Sequence, residues 1–76
     1  MIEEFEKALH NVGFTRVQIK LSTFLNIPWL YVECGTIEGL IRFDISCTTL
    51  EHYGVEQIAK SVFKEWHRNI LKKIFK

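Results

Sequence analysis

The chain has 76 residues, of which 47% are hydrophobic and 25% charged, so it has room for one small core and is too apolar to be disordered. With a formal net charge of only +1, the chain does not attract nucleic acid or membranes through its overall charge. No segment approaches the roughly 20 apolar residues that span a bilayer, and the acidic start is unlike a secretory signal. We expect a single cytoplasmic domain over residues 1–76.

The first predicted element is an amphipathic helix over residues 2–12, which Gly13 is suited to end. Residues 14–21 then change to the apolar–polar alternation of a strand with one buried face. Residues 22–28 break that alternation and are predicted to form an unusually apolar loop. Pro28 suits the first position of the strand that follows, because it has no ladder hydrogen bond to donate.

Two more strands are predicted over residues 29–34 and about 37–47, joined by a turn at Gly35 and Thr36. The last of them has the clearest alternation in the chain, with mostly apolar odd positions and mostly polar even positions. The buried face of the sheet is therefore expected to consist of Val17, Ile19, Leu21, Leu30, Val32, Ile41, Phe43 and Ile45.

The C-terminal third is predicted to be helical. Residues 48–51 fit a capping box with Thr48 as the N-cap, and Gly54 makes residues 49–53 either a separate turn or the start of one long helix. From Val55 a wide apolar stripe predicts a helix that reaches nearly to the end of the chain. Val62, Trp66 and Ile70 belong to that stripe and are expected to be substantially buried.

The predicted order is therefore α-β-β-β-α, an α+β fold. Short connections favour a three-stranded antiparallel meander, and both helices are expected to pack on one face of it. This order of elements resembles that of double-stranded-RNA-binding domains, whose last helix begins with a lysine cluster beside a glycine-containing loop. Residues 53–60 contain only Lys60 at the matching place, so the resemblance is limited to the order of elements.

No catalytic site, metal site or cofactor is predicted. His10, His52 and His67 lie on helices or at their edges, and no glycine-rich elbow surrounds a serine or cysteine. The spacing of Cys34, Cys47 and His52 matches no zinc pattern. The two cysteines are interpreted as reduced thiols in a cytosolic protein, where disulfides are rare.

The outer sheet face is the first candidate binding site, and its proposed partner-binding residues are Trp29, Tyr31, Arg42, Arg16 and Lys20. Aromatic and arginine side chains supply most of the binding energy of protein interfaces, although exposed aromatics also stack on single-stranded bases. The acids Glu33, Glu38 and Asp44 share this face and would repel phosphate, which favours a protein partner. With apolar loop residues added (Phe24, Leu25 and Ile27), the patch also predicts a homodimer or larger oligomer.

The basic C-terminal segment is the alternative site. Residues 1–59 carry four Lys/Arg and eight Asp/Glu, whereas residues 60–76 carry six and one. The candidate phosphate-binding residues are Lys60, Lys64, Arg68, Lys72, Lys73 and Lys76. Such a helix could contact nucleic acid, lie on an anionic membrane or dock on an acidic protein surface, or it could simply carry a solvated lysine face.

These observations lead to the hypothesis of a small non-enzymatic binding or regulatory protein that docks on, or inhibits, another macromolecule. A protein is the expected partner, nucleic acid bound through the basic helix is the alternative, and a membrane surface is the third possibility. Small free-standing domains without catalytic residues are common products of phages and other mobile elements, and such an origin is part of the hypothesis.

Overall fold

The computed structural model describes residues 1–74, with the side chains of residues 1–72. Its elements follow the predicted order, with one additional short helix: α1 (Ile2–Val12), β1 (Arg16–Phe24), β2 (Ile27–Thr36), β3 (Gly39–Ser46), α2 (Cys47–Tyr53) and α3 (Val55–Ile74). The strands form one antiparallel sheet in the order β1-β2-β3. The predicted α+β fold is confirmed. In the described part of the chain, no helix is both long and apolar enough to cross a bilayer.

The core lies between the helices and one face of the sheet. Burial is complete for the inward-facing residues at the centre of β2, Leu30, Val32 and Cys34, because this strand is flanked on both sides and covered by the helices on one face. The predicted burial of Trp66 and Ile70 is confirmed, whereas Val62 is only half-buried. The buried apolar side chains are Phe5, Ala8, Leu9, Phe14, Leu30, Val32, Cys34, Leu50, Ala59, Trp66 and Ile70.

Trp66 ties α3 to the sheet. Its indole nitrogen donates a hydrogen bond of 3.0 Å to the carbonyl oxygen of Gly39, at the start of β3. The ring of Phe14 packs edge-on against it, with 5.6 Å between centroids, and against the ring of Phe63 at 5.5 Å. Phe14 follows Gly13, and the tight turn after α1 therefore places an aromatic side chain under α3.

The prediction of a loop over residues 22–28 is wrong. Strands β1 and β2 form a hairpin whose last pair is Phe24 and Ile27. The two turn residues, Leu25 and Asn26, have φ of 52° and 65°, the positive values of a type I′ turn. Asn-Gly is the usual sequence of this turn. The pair Leu25-Asn26 does not match it, so the turn could not be recognised from the sequence. The hairpin extends beyond the cover of the helices, so Leu21 is 61% exposed and does not join the core as expected.

The other boundaries move by a few residues. The turn between β2 and β3 lies at residues 37–38, and β3 ends at Ser46 rather than at residue 47. The N-cap is Ser46 and not Thr48: the Ser46 hydroxyl accepts the N–H of Thr49 at 3.1 Å, because the chain enters α2 directly from the strand. Gly54, at φ 87°, separates α2 from α3, so α2 is a separate helix.

The hairpin turn leads to a stability prediction. Changing Leu25 to Asn and Asn26 to Gly gives the pair that a type I′ turn favours, and Leu25, 78% exposed, gives up little packing. We expect the double variant to be more stable by about 1 kcal/mol, since a leucine at positive φ is strained. Thermal unfolding should then shift upwards by roughly 4–8 °C. An unchanged or lower midpoint would mean that Leu25 makes a compensating contact.

Candidate functional site

The outer face of the sheet carries every residue of the first candidate site. The side chains of β1 at even positions, of β2 at odd positions and of β3 at even positions point away from the core. In this register Tyr31 lies between Lys20 and Asp44, and Glu33 pairs with Arg42. The predicted set is therefore together on one face: Arg16, Lys20, Trp29, Tyr31 and Arg42.

An aromatic cleft forms at the hairpin end of this face. We define it by its lining residues, Ser22, Phe24, Trp29, Tyr31 and Asp44, and its volume is about 320 Å³. Phe24 is 66% exposed and Tyr31 is 38% exposed. Phe24 and its pairing partner Ile27 were expected in a loop, and the hairpin instead brings both onto the outer face, where Phe24 lines the cleft.

The indole nitrogen of Trp29 is buried and has no hydrogen-bond partner in the described part of the chain. Among the residues that the structure describes, it is the one buried side-chain nitrogen or oxygen without a hydrogen-bond partner. Leaving a buried donor unpaired costs on the order of 1–3 kcal/mol. The nitrogen itself is buried, so it is the rest of the Trp29 side chain that lines the cleft.

The outer face carries an ion pair between neighbouring strands. The Arg42 Nε donates to a carboxylate oxygen of Glu33 at 2.6 Å. The hydrogen bond to Glu33, together with its negative charge, raises the pKa of Arg42 above its ordinary value. Of the two other acids expected here, Asp44 lies on the face, whereas Glu38 is in the turn between β2 and β3.

The basic residues of α3 are exposed, and two of them have acidic neighbours. Lys60, Lys64, Arg68 and Lys72 are exposed on α3. Arg68 is paired with Glu65 at 3.5 Å, and Lys60 lines a cleft together with Glu4 and Glu56. The remaining two members of the predicted set, Lys73 and Lys76, lie outside the side chains that the structure describes.

The cysteines are unbridged. Cys34 is buried in the core, and this burial raises the pKa of its thiol to about 12, so the thiolate needed for nucleophilic attack is scarce at neutral pH. Cys47 is half-buried at the start of α2. Within residues 1–74, no group of three or more His, Cys, Asp or Glu side chains is placed to hold a metal ion.

Sequence reasoning missed a second apolar surface, at the free edge of β3. This edge groove, of about 330 Å³, lies between β3 and α3 and is lined by Ile41, Phe43, Asp44, Ile45, Ile58, Ser61, Val62 and Glu65. The periodicity identified its apolar members as core residues. The predicted meander already made β3 an edge strand, but periodicity could not show that α3 leaves these side chains only half-buried there.

Comparison of the chain with protein-family models, with curated proteins and with solved structures finds no match.

Proposed function

We propose that this protein is a small non-enzymatic binding protein of the cytoplasm that regulates or inhibits another protein by docking on it through the outer sheet face. The observation that carries the proposal is the aromatic cleft, where Phe24, Trp29 and Tyr31 meet on a face that none of the described helices covers. Aromatic side chains around a cleft, two of them exposed, with an arginine on the same face, match the composition of residues that dominate protein interfaces.

The polar groups of the face support a protein partner over nucleic acid. Asp44 lines the cleft itself, so a phosphate there would meet negative charge, whereas an uncharged peptide backbone would not be repelled.

The basic helix gives less support to the two alternative functions. Binding to nucleic acid through α3 would use Lys64 and Lys72, but Arg68 and Lys60 already have acidic neighbours. Binding to a membrane surface requires a free apolar helix face. The apolar face of α3 is used in the core, where Ala59, Trp66 and Ile70 are buried, so we do not propose membrane binding.

The test is capture of partners from a lysate with and without nuclease, using wild type and two variants as bait. The face variant is Tyr31→Ala with Phe24→Ser, and the matched helix variant changes Lys64, Arg68 and Lys72 to Gln. We expect specific capture that nuclease does not affect, that the face variant loses and that the helix variant keeps. Both variants must first show wild-type circular dichroism.

The opposite pattern would favour nucleic acid. Capture that nuclease abolishes and that the helix variant loses would contradict the proposal. In that case affinity for duplex DNA should fall with salt, and the slope should weaken by up to about 0.9 for each phosphate contact removed.

A further inference from the structure

We propose that the free edge of β3 is a homodimer interface, in which two copies pair their β3 strands antiparallel about a two-fold axis at Phe43. The two three-stranded sheets then form one continuous sheet, and the edge groove of each copy is closed by the other. The homodimer expected from the sequence is thereby assigned to the β3 edge and not to the outer sheet face.

The backbone at this edge is arranged for a further strand. Thr36 and Gly39 pair across a two-residue turn, and such a pair exchanges its backbone hydrogen bonds. Because the direction alternates along a strand, Gly39, Ile41 and Phe43 direct their N–H and C=O groups at β2. The groups of residues 40, 42 and 44 point to the open edge, where β3 is the last strand.

The side chains of β3 are self-complementary in one register. With Phe43 opposite Phe43 of the second copy, Arg42 faces Asp44 of the second copy, and Asp44 faces the second copy's Arg42. Opposite charges directly across a ladder stabilise it, and like charges destabilise it. Each Arg42 guanidinium would then lie between Glu33 of its own chain, at 2.6 Å, and a carboxylate of the other.

The inner face agrees with the same register. Ile41 faces Ile45 of the second copy, and the half-buried apolar side chains of β3 meet their counterparts across the axis. The α3 wall of the groove, Ile58 and Val62, faces the same wall of the second copy. The apolar surface that a monomer leaves open at this edge is therefore covered by an identical surface, as a two-fold interface requires.

Neighbouring registers lack this match. A two-fold axis at Arg42 places two arginines opposite each other, and an axis at Asp44 places two aspartates opposite each other; both are unfavourable. The other edge of the sheet, β1, carries the cations Arg16 and Lys20 but no acid, so it offers no opposite-charge pairs to a second copy. These facts select a second copy, centred on Phe43, as the occupant of the β3 edge.

The test uses purified protein alone and measures its association by sedimentation equilibrium, so it can fail independently of the proposed function. Wild type should be dimeric. Asp44→Arg and Arg42→Asp each replace two opposite-charge pairs by two like-charge pairs, and each should weaken dimerisation by roughly 30-fold or more. An equimolar mixture of the two variants restores every opposite-charge pair and should form a heterodimer, which native mass spectrometry detects by its mass.

Lys20→Asp is the matched control, because it makes the same change of charge as Arg42→Asp on the other edge strand, and it should leave the dimer intact. A monomeric wild type at high concentration would overturn the proposal. So would a dimer that both β3 variants keep, or one that Lys20→Asp disrupts while the β3 variants do not. If the single variants are monomeric and their mixture does not associate, the assigned register is also overturned.

Discussion

Replacing Trp66 with alanine should destabilise the fold by about 3–5 kcal/mol, the range for removing a large buried aromatic side chain. Trp66 is only 6% exposed, and its ring packs against those of Phe14 and Phe63. The substitution also leaves the carbonyl of Gly39 without the indole donor. The free energy of unfolding from urea titration, followed by circular dichroism, measures the loss.

Trp66→Phe is the control that separates packing from hydrogen bonding. It keeps most of the ring contacts and removes the donor, so it should cost about 1–2 kcal/mol, well below the alanine variant. An alanine variant that unfolds like wild type but loses partner binding would show that Trp66 contacts a partner and does not hold α3 on the sheet.

Gly35→Ala should destabilise the protein by about 3 kcal/mol or more, at the upper end of overpacking effects. A methyl group at this position would clash with the carbonyl oxygen of Gly39 and would lie 2.8 Å from the Cα of Leu40. These are backbone atoms, which cannot rotate away as the end of a side chain can. Relief therefore requires β2 and β3 to separate next to the Trp66 hydrogen bond.

Gly54→Ala is the matched control for Gly35. No atom of the described residues lies within 4 Å of the added methyl group there, although φ is 87°, so only backbone strain of roughly 1–2 kcal/mol is expected. Thermal unfolding of the two variants should differ in midpoint by several degrees, with Gly35→Ala the lower. Equal midpoints would contradict the close approach of β2 and β3.

The sequence predicted the elements better than it predicted their ends. Periodicity is a local property, so the helix over residues 2–12 and the strand around Phe43 could be recognised from spacing alone. The hairpin at Leu25 could not be recognised, because its turn requires positive φ at both Leu25 and Asn26, and leucine rarely adopts such an angle. The N-cap at Ser46 could not be recognised for a different reason: the strand passes into α2 without a loop, so Ser46 also belongs to the strand pattern.

The candidate site was only partly predictable. Strand alternation correctly grouped Tyr31, Lys20 and Arg42 on one face, since alternation fixes the face of every residue in a strand. The predicted meander also placed β2 in the centre and β1 and β3 at the edges, as the structure has them. Alternation could not show how far the hairpin and the β3 edge extend beyond the helices, because that depends on long-range packing. The aromatic cleft and the edge groove both depend on this packing, and they became apparent only in the folded chain.

The measurement that tests the docking face most directly is the affinity of a captured partner for two variants, determined by isothermal titration calorimetry. Tyr31→Ala removes an aromatic side chain from the centre of the face, and we expect a loss of roughly 30-fold or more, the effect of a central interface residue. The Lys64, Arg68 and Lys72 to Gln variant should bind within about threefold of wild type, as expected for residues outside the interface. Near-normal binding by Tyr31→Ala, together with a large loss in the helix variant, would contradict the account and assign binding to α3.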